Sequence, residues 1–406
     1  MKILMIYSLW WLFWSFIAFI GLGEIVKPSL YTIEIVFVLI FFMWVGYFFK
    51  EILPTKKDAV YFSLLSFNES FLLVLKATSK FILIFSIPIV FYFSYRGISL
   101  LNEYGPVGYR NSVYSRPGEP SLLFGSEYFE VLYNAIISPM ILFSLFSSLT
   151  IFFYENNKKY LSLSFLLGFL DSIMMLGRFY LYIFIVLIII GSILIKKNKI
   201  LFAKIFSIVL VVFMFIISIT YVRYQDLDSE VNIVDTVIKT HTVGFVLFDK
   251  ELNNQNSDLN KNMTYGRATF GGIDWYINLI LRRFIPDYQI ALNSTSRDEF
   301  IDVSTTTDDQ LFNAYYTLLY TVYSDFRMFG VICFGAITGF MIRKNHDDFL
   351  MNKNPSSFVF FMIMSYVFIF SIFNSPLESM KVWGAVFIYL FVIRKAKLFC
   401  IYNVHG

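Results

Sequence analysis

The chain is poor in the residues that soluble chemistry leans on: two cysteines, three histidines, ten prolines and only 15% charged residues among 406. Cys333 lies in an apolar run and Cys400 beside a basic tail, with no CxxC pair, so neither a disulfide framework nor a structural metal site is expected. Three scattered histidines supply no HExxH zinc helix, and the sequence contains no GxxxxGK[ST] phosphate loop, no GxGxxG opening a helix and no GxSxG elbow. These absences argue against an ATP-driven pump and a zinc protease. No cofactor is expected. With a net charge of only +4 and no long basic tract, nucleic acid is not an expected partner.

What is abundant is apolar. Hydrophobic residues make up 57% of the chain and aromatics 20%, far from a soluble average, and the apolar runs are as long as a bilayer requires, about 20 residues each. The expected fold class is all-α: a polytopic membrane protein of about ten transmembrane helices with a large external loop containing amphipathic helices. Basic clusters at Lys50, Lys56 and Lys57, at Lys158 and Lys159, at Lys196, Lys197 and Lys199, at Arg343 and Lys344, and at Arg394, Lys395 and Lys397 mark the cytoplasmic side. This pattern predicts seven spans over residues 1–221, a large external loop over 222–327, and three more spans and a cytoplasmic tail over 328–406, with both termini inside. Within the first part, 60–76 reads as a helix lying in the interface because Asn68 and Glu69 interrupt it. Span 3 then covers about 79–101, and 102–128 reads as a polar Gly- and Pro-rich external loop carrying Arg110. The 35 residues from Leu161 to Ile195 lie between two basic clusters, so they must cross twice. Gly177 and Arg178 are then a hairpin tip with Asp171 on a similar helix face beneath.

The candidate chemistry is arginine on the outer side. A guanidinium stays charged and takes phosphate oxygens in a bidentate fork, so several beside a membrane suit an anionic or diphosphate head group. Arg178 stands at the hairpin tip. Arg282 and Arg283 follow the amphipathic run Ile273 to Leu281, where a basic helix end resting on lipid phosphates is the competing reading. Arg267, in Tyr265-Gly266-Arg267, sits where backbone can approach a ligand, and Arg327 follows Tyr323, Ser324 and Asp325, with a simple Asp325 to Arg327 surface pair as the alternative. His241 is a candidate general base. The catalytic candidates are thus Arg178, Arg282, Arg283, His241 and Asp325, and the substrate-binding candidates Arg267, Arg327, Arg110 and Tyr323. The acidic residues Asp302, Asp308 and Asp309 fit a solvated loop or contacts to sugar hydroxyls. The long stretch 222–327 is not disordered in composition, since 231–248 and 270–285 mix apolar and polar residues as surface or interfacial helices do.

A Gly-Arg at a short hairpin tip (Leu176-Gly177-Arg178-Phe179), one large loop in the second half, and Tyr-x-x-Tyr-Ser-Asp-Phe-x-x-Phe-Gly-Val over 320–331 entering a span with Gly330, Gly335 and Gly339 resemble the oligosaccharide repeat unit polymerases, the Wzy or O-antigen polymerase family. The resemblance implies a GT-C-like glycosyltransferase of the bacterial inner membrane. Such an enzyme moves a glycan from undecaprenyl diphosphate to the non-reducing end of another lipid-linked unit on the periplasmic side, within lipopolysaccharide biosynthesis. By that resemblance the partners are an undecaprenyl-diphosphate-linked oligosaccharide, the membrane and a chain-length regulator. The arginines hold the departing diphosphate and a base activates the acceptor hydroxyl. An Arg followed by Gly eleven positions later, described for some members, is not found from Arg178, Arg267 or Arg327. An O-antigen ligase, or a polysaccharide flippase or transporter, is the alternative reading.

Overall fold

Helix α1 (Lys2–Ile20) shows how the sequence builds this protein. Leu4, Tyr7, Trp11, Ser15 and Ala18 are buried at helical spacing, while Met5, Leu9, Phe13 and Phe16 form an exposed apolar stripe on the other side. A helix that is apolar all round, with its hydroxyl-bearing and indole residues turned inward and a purely apolar stripe outward, is built for lipid rather than water. The inward polar atoms are satisfied locally: Tyr7 Oη and Ser365 Oγ are 2.8 Å apart, and Trp11 Nε1 donates to the Phe368 carbonyl at 3.0 Å.

The computed structural model describes residues 1–22, 25–52, 61–113, 121–195, 209–219, 233–285, 288, 290, 301–302, 311–312, 316–372 and 374–405. After α1 come α2 (Leu30–Ile52), α3 (Tyr61–Val113), α4 (Glu127–Leu132), a π-helical turn (Tyr133–Ile137), α5 (Ser138–Glu155), α6 (Lys158–Met174) and α7 (Phe179–Ile195). They are followed by α8 (Val209–Ile219), α9 (Ile233–Asn253), α10 (Asp258–Lys261), α11 (Gly271–Leu281), α12 (Leu318–Asn352), α13 (Pro355–Phe370) and α14 (Met380–His405). The described fold is helical apart from one antiparallel pair of two-residue strands, β1 (Ile301–Asp302) with β2 (Leu311–Phe312). Among the described residues, five helices or helix runs are long and apolar enough to cross a bilayer: 2–20, 30–50, 67–106, 127–155 and 318–349. The protein is therefore a helical membrane protein.

Two differences from expectation concern α3 and α12. Residues 61–76 of the segment expected to lie in the interface are continuous with the span that follows, and most of 102–113, expected in a loop, is helical as well, in a second helical stretch that follows a kink at Gly105 (φ 68°, ψ 171°). Glu69 is exposed on this helix, and Phe71, Leu75, Ser79, Ile82, Ser86, Val90 and Ser94 make a single buried stripe, so the polar pair sits on the helix without ending it. Helix α12 likewise begins ten residues before the expected span and is broken internally at Phe326 and Arg327 (φ 56°, ψ −142°).

The chain divides into two compact units, 1–58 with 231–353 and 364–383, and 59–230 with 354–363 and 384–406. In the first, α2 lies along α12 at close range: an added Cβ at Gly335 would come within 2.7 Å of the Leu39 carbonyl oxygen, and one at Gly339 would overlap that of Met43. Glycine at these two positions lets the backbones touch, the usual device for helix association in lipid. The N-terminus of α2 is held by Asp249 of α9, which accepts from the Ser29 N–H at 3.0 Å, from the Ser29 hydroxyl and from Thr32 Oγ1 at 2.8 Å. A carboxylate there meets the unsatisfied N–H groups and the positive end of the helix dipole.

In the second unit α3 packs on α5 and α6, with Ser94 Oγ donating to the Leu170 carbonyl at 2.9 Å. The expected double crossing of 161–195 corresponds to α6 and α7, which separate at 175–178. Leu176, in the left-handed region at φ 43°, ends α6, with Gly177 N–H on the Ser172 carbonyl (2.9 Å) and Leu176 N–H on Ile173 (3.1 Å), the paired bonds of a Schellman cap. The Tyr180 ring lies over Gly168, and its hydroxyl donates to the Ser164 carbonyl at 3.0 Å, so the two helices fold back on each other.

Candidate functional site

Seven of the nine candidate residues fall in the first unit, on α9 and α12, in the turns between α10 and α11, and in the turn that follows α11. The segment 262–270 is shaped by Asp325, which is 2% exposed. Its carboxylate accepts the N–H groups of Ala268 (3.0 Å) and Thr269 (2.8 Å) and the hydroxyl of Thr264. A carboxylate meeting three donors is a clamp on the turn, and it leaves Asp325 turned away from solvent. The surface pair of Asp325 with Arg327 does not form. Arg327 points elsewhere, donating from Nη1 to the Leu259 carbonyl and from Nη2 to those of Asn260 and Asn262, each at 3.1 Å. It thus covers the carbonyl end of the short helix α10, where a cation is also favoured by the dipole. Its guanidinium carbon lies 5.8 Å from the centre of the Tyr323 ring. Tyr323 is itself buried, edge-on to Phe248 at 5.9 Å.

Arg267 is also engaged. It forks onto Asp274, with Nε and Nη2 on Oδ1 at 3.2 Å and Nη2 on Oδ2 at 3.0 Å, and it lies 5.2 Å over the Tyr288 ring. Asp274 is buried in the first turn of α11, and Tyr288 donates its hydroxyl to the same carboxylate, a hydrogen bond that raises the phenol above its ordinary value. The tight seat of α11 explains Gly271 and Gly272. An added Cβ at Gly271 would come 3.1 Å from Glu378 Cα, and one at Gly272 would overlap the Ser379 carbonyl.

Arg282 and Arg283 are placed differently. They follow the last turn of α11, both are exposed, and neither side chain forms a hydrogen bond or ion pair among the described residues. Ile280 (63% exposed) and Phe284 (78%) flank them. Two free guanidinium groups framed by exposed apolar side chains make a surface that takes an anionic group at an apolar boundary.

His241 is buried rather than poised in solvent. It stacks on Trp14 with ring centres 4.1 Å apart, meets Trp10 edge-on at 5.8 Å, and its Nδ1 donates to the Val237 carbonyl at 2.8 Å. Burial pulls its pKa from the ordinary 6.5 down to about 4, so it is neutral at pH 7. Residues 241–249 of α9 are buried on every side, which corrects the expectation of a surface helix.

Arg178 and Arg110 belong to the second unit. Arg178 is half-buried in the break between α6 and α7, where its carbonyl starts α7 by accepting from Tyr182 N–H at 3.1 Å. Asp171, expected beneath it, accepts the hydroxyl of Tyr133 from the π-helical turn. Arg110 is on the last part of α3 rather than in a loop. Asp302 takes part in β1, while Asp308 and Asp309 lie outside the described residues. Sequence reasoning missed Asp274 and Asp249. The signal for Asp274 was available as an acidic residue in the amphipathic run seven positions after Arg267. Among the described residues no group of three or more metal-ligating side chains converges.

Comparison with known proteins returned no match: no protein family, no curated protein and no solved structure aligns with this chain.

Proposed function

We propose that this protein is a membrane glycosyltransferase acting on a lipid-diphosphate-linked glycan, an O-antigen (oligosaccharide repeat unit) polymerase of the bacterial inner membrane that works on the periplasmic face. The observation that carries the proposal is the exposed Arg282–Arg283 pair that follows α11, without an ion pair or side-chain hydrogen bond among the described residues and beside apolar side chains of the same surface. Breaking a bond between sugar and diphosphate releases a polyanion. Fixed cations at an apolar boundary stabilise that charge as it develops, and the guanidinium fork matches phosphate oxygens. In this reading Arg282 and Arg283 receive the departing diphosphate, while Arg267, Asp274, Asp325 and Arg327 hold the turn and the helix that present them. Arg178 remains a separate candidate in the other unit. The resemblance of 176–179 and 320–331 to the polymerase family supplies the substrate class.

The experiment is the product of a strain lacking this chain. A polymerase leaves single-unit lipopolysaccharide, and plasmid-borne protein restores the ladder of longer chains. Accumulation of polymer on undecaprenyl diphosphate identifies a ligase instead, and loss of outward-facing lipid-linked units identifies a flippase.

A further inference from the structure

A cleft of about 520 Å³ opens in the second unit, between α3 and the α4–π-turn segment. One wall is Pro88, Tyr92 and Arg96; the other is Phe129, Leu132 and Ile136. Its volume lies in the range of sites that bind small molecules, about 300–1,000 Å³. Everything in it is apolar or aromatic except the guanidinium of Arg96. That group donates from Nη2 to the Leu122 carbonyl at 2.8 Å and forms no ion pair among the described residues. Gly125, at φ 72°, gives it room: a Cβ there would stand 3.1 Å from Nη2.

The depth of Arg96 along α3 says what such a cleft would hold. Lys80, exposed on α3, marks one end of the uncharged run 81–95, and Arg96 ends it. The 16 residues from Lys80 to Arg96 rise about 24 Å at about 1.5 Å per residue, and the two long cationic side chains, reaching outward, make up the rest of a hydrocarbon core of about 30 Å. Arg96 therefore stands at the depth of lipid phosphates on the opposite face, with the cleft running from it into the hydrocarbon layer. Tyr92 and Tyr95, both more than half exposed, lie within about one turn of Arg96 on the same helix, as aromatic belts do.

We infer that this cleft is a binding site for an anionic glycerophospholipid of the surrounding membrane, with its phosphate on Arg96 and an acyl chain lying between α3 and the π-turn. The Arg96 charge selects for a net-negative head group, and the side opening lets the lipid enter from the bilayer. The inference is independent of the proposed reaction, which involves other residues.

The test is native mass spectrometry of the full-length protein released from detergent micelles doped with phosphatidylglycerol, phosphatidylcholine or undecaprenyl phosphate. Wild type is expected to retain one phosphatidylglycerol at least roughly fivefold more strongly than phosphatidylcholine, and Arg96→Gln to lose that preference, in line with the energy of one basic residue at an anionic surface. Ile136→Trp fills the cleft at a half-exposed position while keeping the guanidinium and its bond to Leu122; it is expected to lose retention too, and decides the matter if Arg96→Gln unfolds in lipid-free detergent. Equal retention of phosphatidylglycerol by Ile136→Trp, equal retention of phosphatidylcholine by wild type, or displacement of phosphatidylglycerol by equimolar undecaprenyl phosphate would overturn the inference.

Discussion

The Asp325 carboxylate accepts the backbone N–H of Thr269 at 2.8 Å across 56 positions of chain, and with Ala268 and Thr264 it fixes the turn that leads into α11. The residue that resembles a catalytic acid in sequence is thus a buried organiser of the turn. Asp325→Asn offers one acceptor where the native side chain offers two, and turns an NH₂ group toward N–H donors. It is expected to lower stability by about 1–3 kcal/mol, the cost of a buried donor left unmet. Thermal unfolding in detergent checks this. At a temperature where the variant stays folded, product formation is expected to persist.

Arg327 combines a useful side chain with an unfavourable backbone: φ 56° with ψ −142° is a conformation that glycine adopts freely and other residues only under strain. Replacing it by alanine removes the bonds to three carbonyls and keeps the strain; glycine removes the bonds and relieves the strain. Both variants are expected to be less stable than wild type, with Arg327→Gly the more stable of the two by about 1 kcal/mol. Paired melting curves measure the difference, and the opposite order would show that the backbone is not strained there.

His241 makes stability depend on pH. Its folded pKa of about 4 lies below the ordinary 6.5, so the unfolded chain takes up the proton first as pH falls. The contribution is complete above about pH 6.5 and is lost as pH drops toward 4, amounting to about 3 kcal/mol across that window. His241→Phe keeps a ring against Trp14 and removes the titration. Wild type is expected to lose stability between pH 6.5 and 4.5, and the variant to lose much less over the same range. Identical slopes would mean that His241 is not buried neutral.

What the sequence made legible was what repeats locally. The apolar runs, the amphipathic stretches that became α9 and α11, and the break at 175–178 between two short helices were all readable from periodicity and basic flanks. The continuity of 61–104 in α3 was not, because Asn68 and Glu69 look like an interruption, whereas the helix carries Glu69 on its exposed side and takes the half-buried Asn68 into the same face as Phe71 and Leu75. The break in α12 carries no glycine at the strained position, so the usual marker of a left-handed residue was missing. The fates of the arginines were invisible for a different reason. Arg327 meets the Leu259 carbonyl 68 positions away, and such a partner is set by the packing of α10 on α12 and not by spacing. Counting cations gave a cluster. Only their partners separate Arg267 and Arg327, which are occupied, from Arg282 and Arg283, which are exposed and have no partner among the described residues.

That separation is the central claim, and one comparison tests it. In a strain lacking the chromosomal copy, the lipopolysaccharide ladder is measured after complementation with wild type, with Arg282→Ala/Arg283→Ala, and with Arg178→Ala, each at matched membrane levels. The account predicts that the double variant, although folded and inserted, gives at least roughly a hundredfold less polymer, the scale of losing charge stabilisation at a departing group. Arg178→Ala reports separately on the other candidate. A full-length ladder from the Arg282→Ala/Arg283→Ala protein would contradict the account.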